Sequence, residues 1–346
     1  MNIVIDIGHP AHVHFFKHFI WEMDKKGHQC LITVAEKDMA CALLDNYGFR
    51  YANHGSYGHS IGKKLINILV MDYKLYDAAK PFRPDVFMGL ASVRAAHTAF
   101  CLRKPCLLFD DTENGKAEVV LYKPFVNYIC TPSCYQINLG RKQVSYEGYH
   151  ELAYLHPNRF QPDPAILKKM DLVDQNTFVI MRFVGWSAVH DFGHSGIGLE
   201  HKRQAVKAFS EHARVFITSE SPLPEDLEPY RIHIQPEEIH HVLSYATLLY
   251  GESATMASEC AVLGTPAIYL DNVGRGYTDE QERKYDSVFN FTESPEDCRD
   301  SIHKGVEILT TPDVRALWKT KRERILSEKI DVTDWMIQFV EQKFGA

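Results

Sequence analysis

Apolar residues along this 346-residue chain follow two spacings that trade places. Short continuous runs, Ile3–Ile7 and Gln29–Val34, read as buried strands. Between them the spacing shifts to threes and fours: in His12–Lys26, Phe15, Phe16, Phe19, Ile20 and Met23 share one helical face. The alternation continues with a helix over Asp38–Tyr47 that stops at Gly48, a short strand at Phe49–Ala52, and a long amphipathic helix over Ile61–Ala79 ended by Pro81 and Pro84. Val86–Gly89, Leu107–Asp110 and Tyr128–Thr131 are further strands with helix-forming stretches between them.

Prolines then crowd into PNRFQPDP (Pro157–Pro164), where a domain boundary is expected. The pattern restarts beyond it. Phe178–Arg182, Val215–Ser219, Leu248–Tyr250 and Ala267–Leu270 read as strands; Glu200–His212, Glu237–Tyr245 and Ser253–Leu263 as helices. Two late helices cover Pro312–Ser327 and Thr333–Phe344, the last lining Trp335, Met336, Phe339, Val340 and Phe344 on one face. Continuous apolar strands alternating with helices predict parallel sheets covered on both faces. The expected fold class is therefore α/β: two Rossmann-like, doubly wound parallel-sheet domains facing a cleft. The expected division is 1–160, 161–330 and a terminal helix at 331–346 packing back on the first domain.

Composition narrows the function. The chain carries 45 acidic against 38 basic residues and a formal charge of -7, which disfavours a general nucleic-acid binder. Eight scattered cysteines without a CxxC pair suggest free thiols in a reducing cytoplasm. The start MNIVIDIGHP enters a strand at once, so no signal peptide is expected, and no apolar run is long enough to span a bilayer.

The most informative stretch is GESATMASECAVLGTPAI, Gly251–Ile268. Gly251 ends a strand, and Ser253 suits the N-cap of the next helix. Ala254, Thr255 and Met256 then occupy the first turn, whose amides lack intrahelical partners and, with the helix dipole, attract an anion. Gly251 and Ala254 leave room for a phosphate, Ser253 and Thr255 add hydroxyls, and Glu259 one turn on is placed to accept from a ribose diol. The bland alternative is a well-capped helix with a buried face. GxGxxG is absent from both halves, against a nicotinamide-dependent dehydrogenase.

Two α/β domains with such a helix start in the second resemble the GT-B fold of glycosyltransferases and of the non-hydrolysing UDP-N-acetylglucosamine 2-epimerases. Four stretches, IDIGHPAHVHFFKHFI (Ile5–Ile20), DDTENG (Asp110–Gly115), YKPFVNYICTPSCY (Tyr122–Tyr135) and GYHELAYLHP (Gly148–Pro157), resemble more closely domain of unknown function family 354. The GT-B resemblance implies a diphosphate at Ser253, Ala254 and Thr255, a ribose at Glu259, and no metal, since the helix dipole replaces the cation.

Ligands of doubly wound sheets sit outside the carboxyl ends of the strands. The loops there offer Gly8, His9 and His12, then Gly89–Ser92, then Asp110–Glu113; in the second half they offer Arg182, Trp186, Ser187, His190 and Asp191. Glycosyl transfer needs a cation or amides for the leaving diphosphate, for which Arg182 is a candidate, and a base for the acceptor. His12, Asp111 and Glu113 are the candidate catalytic groups, with His12 ranked first; Gly8, His9, Ser187 and His190 are further substrate contacts. Each has a plainer reading: His12 a helix cap, Asp110 a strand terminator, Asp111 a turn cap, Arg182 an ion-pair residue. HPAHVH and VHDFGH lack zinc-motif spacing, and no metal or cofactor is expected.

The sequence reading is a cytoplasmic glycosyltransferase taking a nucleotide-activated, UDP-linked sugar to a saccharide or lipid-linked acceptor in polysaccharide or glycoconjugate synthesis. A sugar-nucleotide epimerase and a non-catalytic sugar-nucleotide-binding protein are the alternatives. The Lys63–Lys80 helix, with its lysines and apolar face, is read either as sheet-packed or as a peripheral membrane contact.

Overall fold

The computed structural model describes residues 1–35, 38–55, 61–172, 177–184 and 196–345. The chain divides into two compact units, Met1–Tyr154 with Ile330–Ala346, and Leu155–Lys329.

The first unit is built on seven strands: β1 (Asn2–Ile7), β2 (Gln29–Val34), β3 (Tyr51–Asn53), β4 (Val86–Leu90), β5 (Cys106–Phe109), β6 (Tyr128–Pro132) and β7 (Gln143–Tyr146). Their order is β3-β2-β1-β4-β5-β6-β7, and every pairing is parallel. Chain direction across the sheet reverses between β1 and β4, so this is the switch point where loops diverge and a crevice opens. The central strands are buried along nearly their whole length because helices cover both faces. Val4, Phe87, Leu108 and Ile129 pack against Leu75, Ala95, Ala99 and Tyr122 of the covering helices.

The terminal helix Val332–Phe344 belongs to this unit. Asp331 caps it by accepting from the Asp334 amide at 3.1 Å, and Thr333 Oγ1 donates to the Ala153 carbonyl at 2.7 Å. Trp335 packs on Tyr146, 4.8 Å between ring centroids, and Phe339 on Tyr128 at 5.4 Å. The helix thus covers the β6–β7 side of the sheet with aromatic surface.

The second unit holds β8 (Phe178–Phe183), β9 (Arg214–Ser219), β10 (Leu248–Gly251), β11 (Ala267–Leu270) and β12 (Val288–Phe291). Their order is β12-β11-β10-β8-β9, again all parallel, with the switch point between β8 and β10. Met181, Phe209, Tyr250, Ile268 and Trp318 lie in its core. Helices over Gly276–Arg283 and Pro295–Thr310, and the strands β7 and β12, add to the elements the sequence pattern predicts.

Candidate functional site

At the carboxyl end of β1, Gly8 leads into the helix Pro10–Lys25. His9, rather than His12, is its N-cap: the His9 ring accepts from the Ala11 amide at 3.2 Å, and Pro10 fills the first helical position, where no amide is needed. His12 turns back on the strand end. Its Nδ1 accepts from the Gly8 amide at 3.2 Å, which places the ring proton on Nε2. In this geometry His12 offers a donor, and acting as a base at Nε2 requires the Gly8 bond to open. The two rings are 6.0 Å apart.

Beside them lies a buried ion pair that the sequence pattern does not announce. Asp6, the one charged residue of β1, accepts from Arg94 Nη2 at 2.7 Å and Thr33 Oγ1 at 2.9 Å on one oxygen, and from Ser92 Oγ at 2.5 Å on the other. Ser92 also caps the helix Val93–Leu102 by accepting from Ala95 at 3.1 Å. The loop before it is tight: Ala91 is left-handed, and a Cβ on Gly89 would lie 2.8 Å from that of Ser92. Three hydrogen bonds compensate the desolvation of a buried carboxylate, so Asp6 pins three elements together at the switch point. His54, after β3, is buried beside this pair, and neither ring nitrogen has a hydrogen-bond partner among the described residues. Burial, then the Arg94 charge, lowers its pKa, so its neutral form is favoured.

The DDTE loop follows β5. Asp110 is buried and accepts from the Tyr122 hydroxyl and from the Thr112 amide, the latter at 3.0 Å. Burial pushes its carboxyl up to about 6, against the pull of those two bonds. Asp111 is mostly covered; Thr112 Oγ1 lies 3.0 Å from its Oδ1 and His150 Nδ1 2.9 Å from its Oδ2. His150 sits among the rings of Phe15, Phe109 and Tyr146. Burial lowers its pKa, but the charge and hydrogen bond of Asp111, with Glu151 and Asp110, outweigh that and raise it. Glu113 is half-buried and accepts from the Gln136 amide at 3.2 Å. The hydroxyl of Tyr135 has no hydrogen-bond partner among the described residues; after burial, the charges of Asp110, Glu113 and Asp111 hold its pKa up.

In the second unit, Ser253 caps the helix Ala254–Leu263, accepting from Met256 at 3.3 Å. Residues 253–256 are half-buried and Ala257–Leu263 buried, so the helix start is its accessible part. Ala254 and Thr255 precede the first residue able to find an intrahelical acceptor. Gly251 has a reason of its own to be glycine: with φ at +154°, a Cβ there would lie 2.1 Å from the Arg182 carbonyl oxygen. Backbone packing between β8 and β10 by itself requires a glycine at this position. Arg182 is ion-paired, with Nη1 donating to Thr218 Oγ1 at 3.1 Å and Nη2 to Glu220 at 2.5 Å.

Glu259, read from the sequence as a ribose contact, is turned to the interior. It is 4% exposed, and its Oε1 lies 2.8 Å from His240 Nε2 on the helix Ile239–Tyr245. The reason is rotational: its neighbours Ser258 and Cys260 are fully buried, so this turn of the helix faces the interior on nearly every side. Ser187 and His190 lie outside the described residues, as do Trp186 and Asp191. Their segment is bracketed, however. Val184 and Ile197, on either side of 185–195, both donate amides to the buried Glu252, at 3.0 and 2.5 Å, and Lys202 Nζ stands 3.4 Å from it. Glu252 precedes the helix cap directly, so Val184 and Ile197 are held next to Ser253.

Two parallel-sheet α/β units of this kind define a GT-B-like fold. The chain belongs to the family described as "Protein of unknown function (DUF354)", whose model matches residues 1–276. It is 27% identical over 284 residues to an uncharacterized protein of Methanocaldococcus jannaschii, a match covering 78% of this chain and 81% of that one. Among solved structures, the UDP-GlcNAc 2-epimerase from Neisseria meningitidis bound to UDP-GlcNAc is 12% identical with a TM-score of 0.67, covering 99% of this chain and 100% of that chain. The glycosyltransferase VinC in complex with DTDP is 12% identical with a TM-score of 0.63, with the same two coverages of 99% and 100%. At these identities the likeness concerns the fold.

Proposed function

We propose that this protein binds a nucleoside-diphosphate sugar, a UDP-sugar first, at the start of the helix Ala254–Leu263 and transfers the sugar to a saccharide or lipid-linked hydroxyl. One observation carries the reading: a half-buried, serine-capped helix start at the switch point of the second sheet, with Ala254 and Thr255 in its first turn, where amides lack intrahelical acceptors. Such amides stabilise the diphosphate in the ground state and the charge that grows on it as the glycosyl bond breaks. Glu252 supports the reading by holding the amides of Val184 and Ile197 next to that helix start. GT-B-like structures with UDP-GlcNAc and DTDP bound support the ligand class.

On the first unit, Asp111 is our choice of acceptor base, because His150 and Thr112 already hold its carboxylate in one orientation. His12, carrying its proton on Nε2, serves better as a donor to substrate oxygen, with His9 and Gly8 shaping that loop. Glu113 is a second carboxylate in the same loop. The likeness to an epimerase favours one other reading, inversion at the sugar's C2 without an acceptor; interconversion of the sugar nucleotide by protein alone separates it from transfer.

Calorimetric titration with UDP, GDP and their sugar conjugates tests the donor site. UDP binding is expected, with about a tenfold or greater loss in Thr255→Asp, which sets a like charge in the first turn. If none of the panel binds, or if Thr255→Asp binds as well as the wild type, the reading fails.

A further inference from the structure

Nine large apolar side chains stand exposed among the described residues, and six of them, Leu69, Val70, Tyr73, Phe100, Val120 and Leu121, lie on three helices of the first unit. These are Ile61–Phe82, Val93–Leu102 and Lys116–Tyr122. They form one layer joined at His97, whose Nδ1 lies 2.8 Å from Asp72 Oδ2 on the first helix and whose Nε2 lies 3.2 Å from the Leu121 carbonyl on the third. The apolar side chains protrude: Leu69 is 70% exposed, Tyr73 67%, Phe100 61% and Val120 72%. Phe100 is held by its ring contact with Phe125, 5.1 Å between centroids. Single exposed apolar residues are ordinary, but six gathered on one layer mark an interaction surface.

The charges around them say what covers it. From residue 67 to residue 85, and over the other two helices with their last turns, the exposed charged residues are Lys74, Lys80, Arg83, Arg103, Lys104 and Lys116 against Asp77, Asp85 and Glu118. Six minus three leaves +3 on this layer of a chain whose total is -7. The basic residues lie on or directly after the same helices: Lys74 on the helix of Tyr73, Lys116 one turn before Val120, and Arg103 and Lys104 just past the end of the helix that carries Phe100. A second copy docked face to face would oppose these like charges. An anionic bilayer complements them, while protruding Leu, Tyr, Phe and Val enter its interface.

We propose that this three-helix layer docks the protein on anionic membrane surfaces. No described helix is long and apolar enough to cross a membrane, so the attachment is peripheral. The surface rests on exposure and charge alone and stands whether or not the donor site does.

The test is sedimentation of the full chain with phosphatidylcholine vesicles, with and without phosphatidylglycerol. Binding is expected to the anionic vesicles and is expected to fall with added salt. The exposed triple variant Leu69→Ser/Phe100→Ser/Val120→Ser is expected to bind about tenfold or more weakly with an unchanged circular dichroism spectrum, and Arg103→Glu/Lys104→Glu to weaken binding as well. Absence of binding to anionic vesicles overturns the proposal, as does binding that both variants retain. Self-association of the wild type in analytical ultracentrifugation, lost in the triple variant without any vesicle binding, reassigns the layer to a second copy.

Discussion

His150 donates from Nδ1 to the Asp111 carboxylate across 2.9 Å, while its Nε2 is buried without a hydrogen-bond partner among the described residues. Burial alone would lower the imidazole's pKa; Asp111, Glu151 and Asp110 raise it above 6.5 instead. A group whose folded pKa exceeds its unfolded one contributes stability in full below the unfolded value and loses it as pH rises through the folded value. Asp110 acts in the same direction, but between its ordinary 3.8 and about 6. The window just above pH 6.5 therefore isolates His150. The melting temperature of the wild type should fall as pH rises through that window, and His150→Gln should flatten the fall while costing about 1–3 kcal/mol at pH 6. A titration of the His150 ring by NMR should show its pKa dropping in Asp111→Asn. An unmoved pKa would mean that the carboxylate does not set the charge of the ring.

Gly251 offers a second check, one that separates packing from ligand binding. A methyl group there meets the Arg182 carbonyl oxygen at 2.1 Å in a backbone conformation that side chains avoid. β8 must shift away from β10 to admit it, at a cost of about 3 kcal/mol or more, the upper end for overpacking. Gly251→Ala should therefore show a lower denaturation midpoint in urea even without nucleotide. A variant as stable as the wild type that has lost UDP binding would return the glycine to the ligand.

Much of this architecture is legible in the chain because the central strands are covered on both faces. VFMGL in β4, CLLF in β5 and AIYL in β11 have little choice but to be apolar. β7 (QVSY) and β12 (VFNF) escape notice because each is an edge strand, short and partly polar. The helix Gly276–Arg283 escapes for a different reason: it buries Tyr277, Thr278 and Gln281, with Gln281 Nε2 donating to Ser258 Oγ at 2.7 Å, so its inner face reads as polar. At the site, the Ser253 cap is a local feature and is visible as such. The Asp6–Arg94 and Asp111–His150 pairs join residues far apart in sequence, and only the strand order brings them together. An aspartate inside the apolar run IVIDI is the one local hint of the first pair.

Glu259 is where the sequence reading and the geometry pull apart, and one pair of ligands separates them. If its carboxylate reaches a ribose diol, UDP should bind more tightly than DTDP, whose deoxyribose lacks the 2′-hydroxyl, and Glu259→Gln should erase most of that preference. A hydrogen bond from a hydroxyl to a charged carboxylate is worth about 1.5–3 kcal/mol, so the preference should be roughly tenfold to a hundredfold. If instead Glu259 only anchors the helix through His240, Glu259→Gln should leave the ratio of the two affinities unchanged and lower the melting temperature, because His240 is left buried with a weaker partner. Calorimetric titration of both nucleotides against wild type and variant, with a thermal melt of each, distinguishes the outcomes. The buried pair at 2.8 Å makes the second outcome our expectation: an oxygen already bound to His240 in a 4% exposed side chain has little access to a sugar unless the first turn of the helix opens.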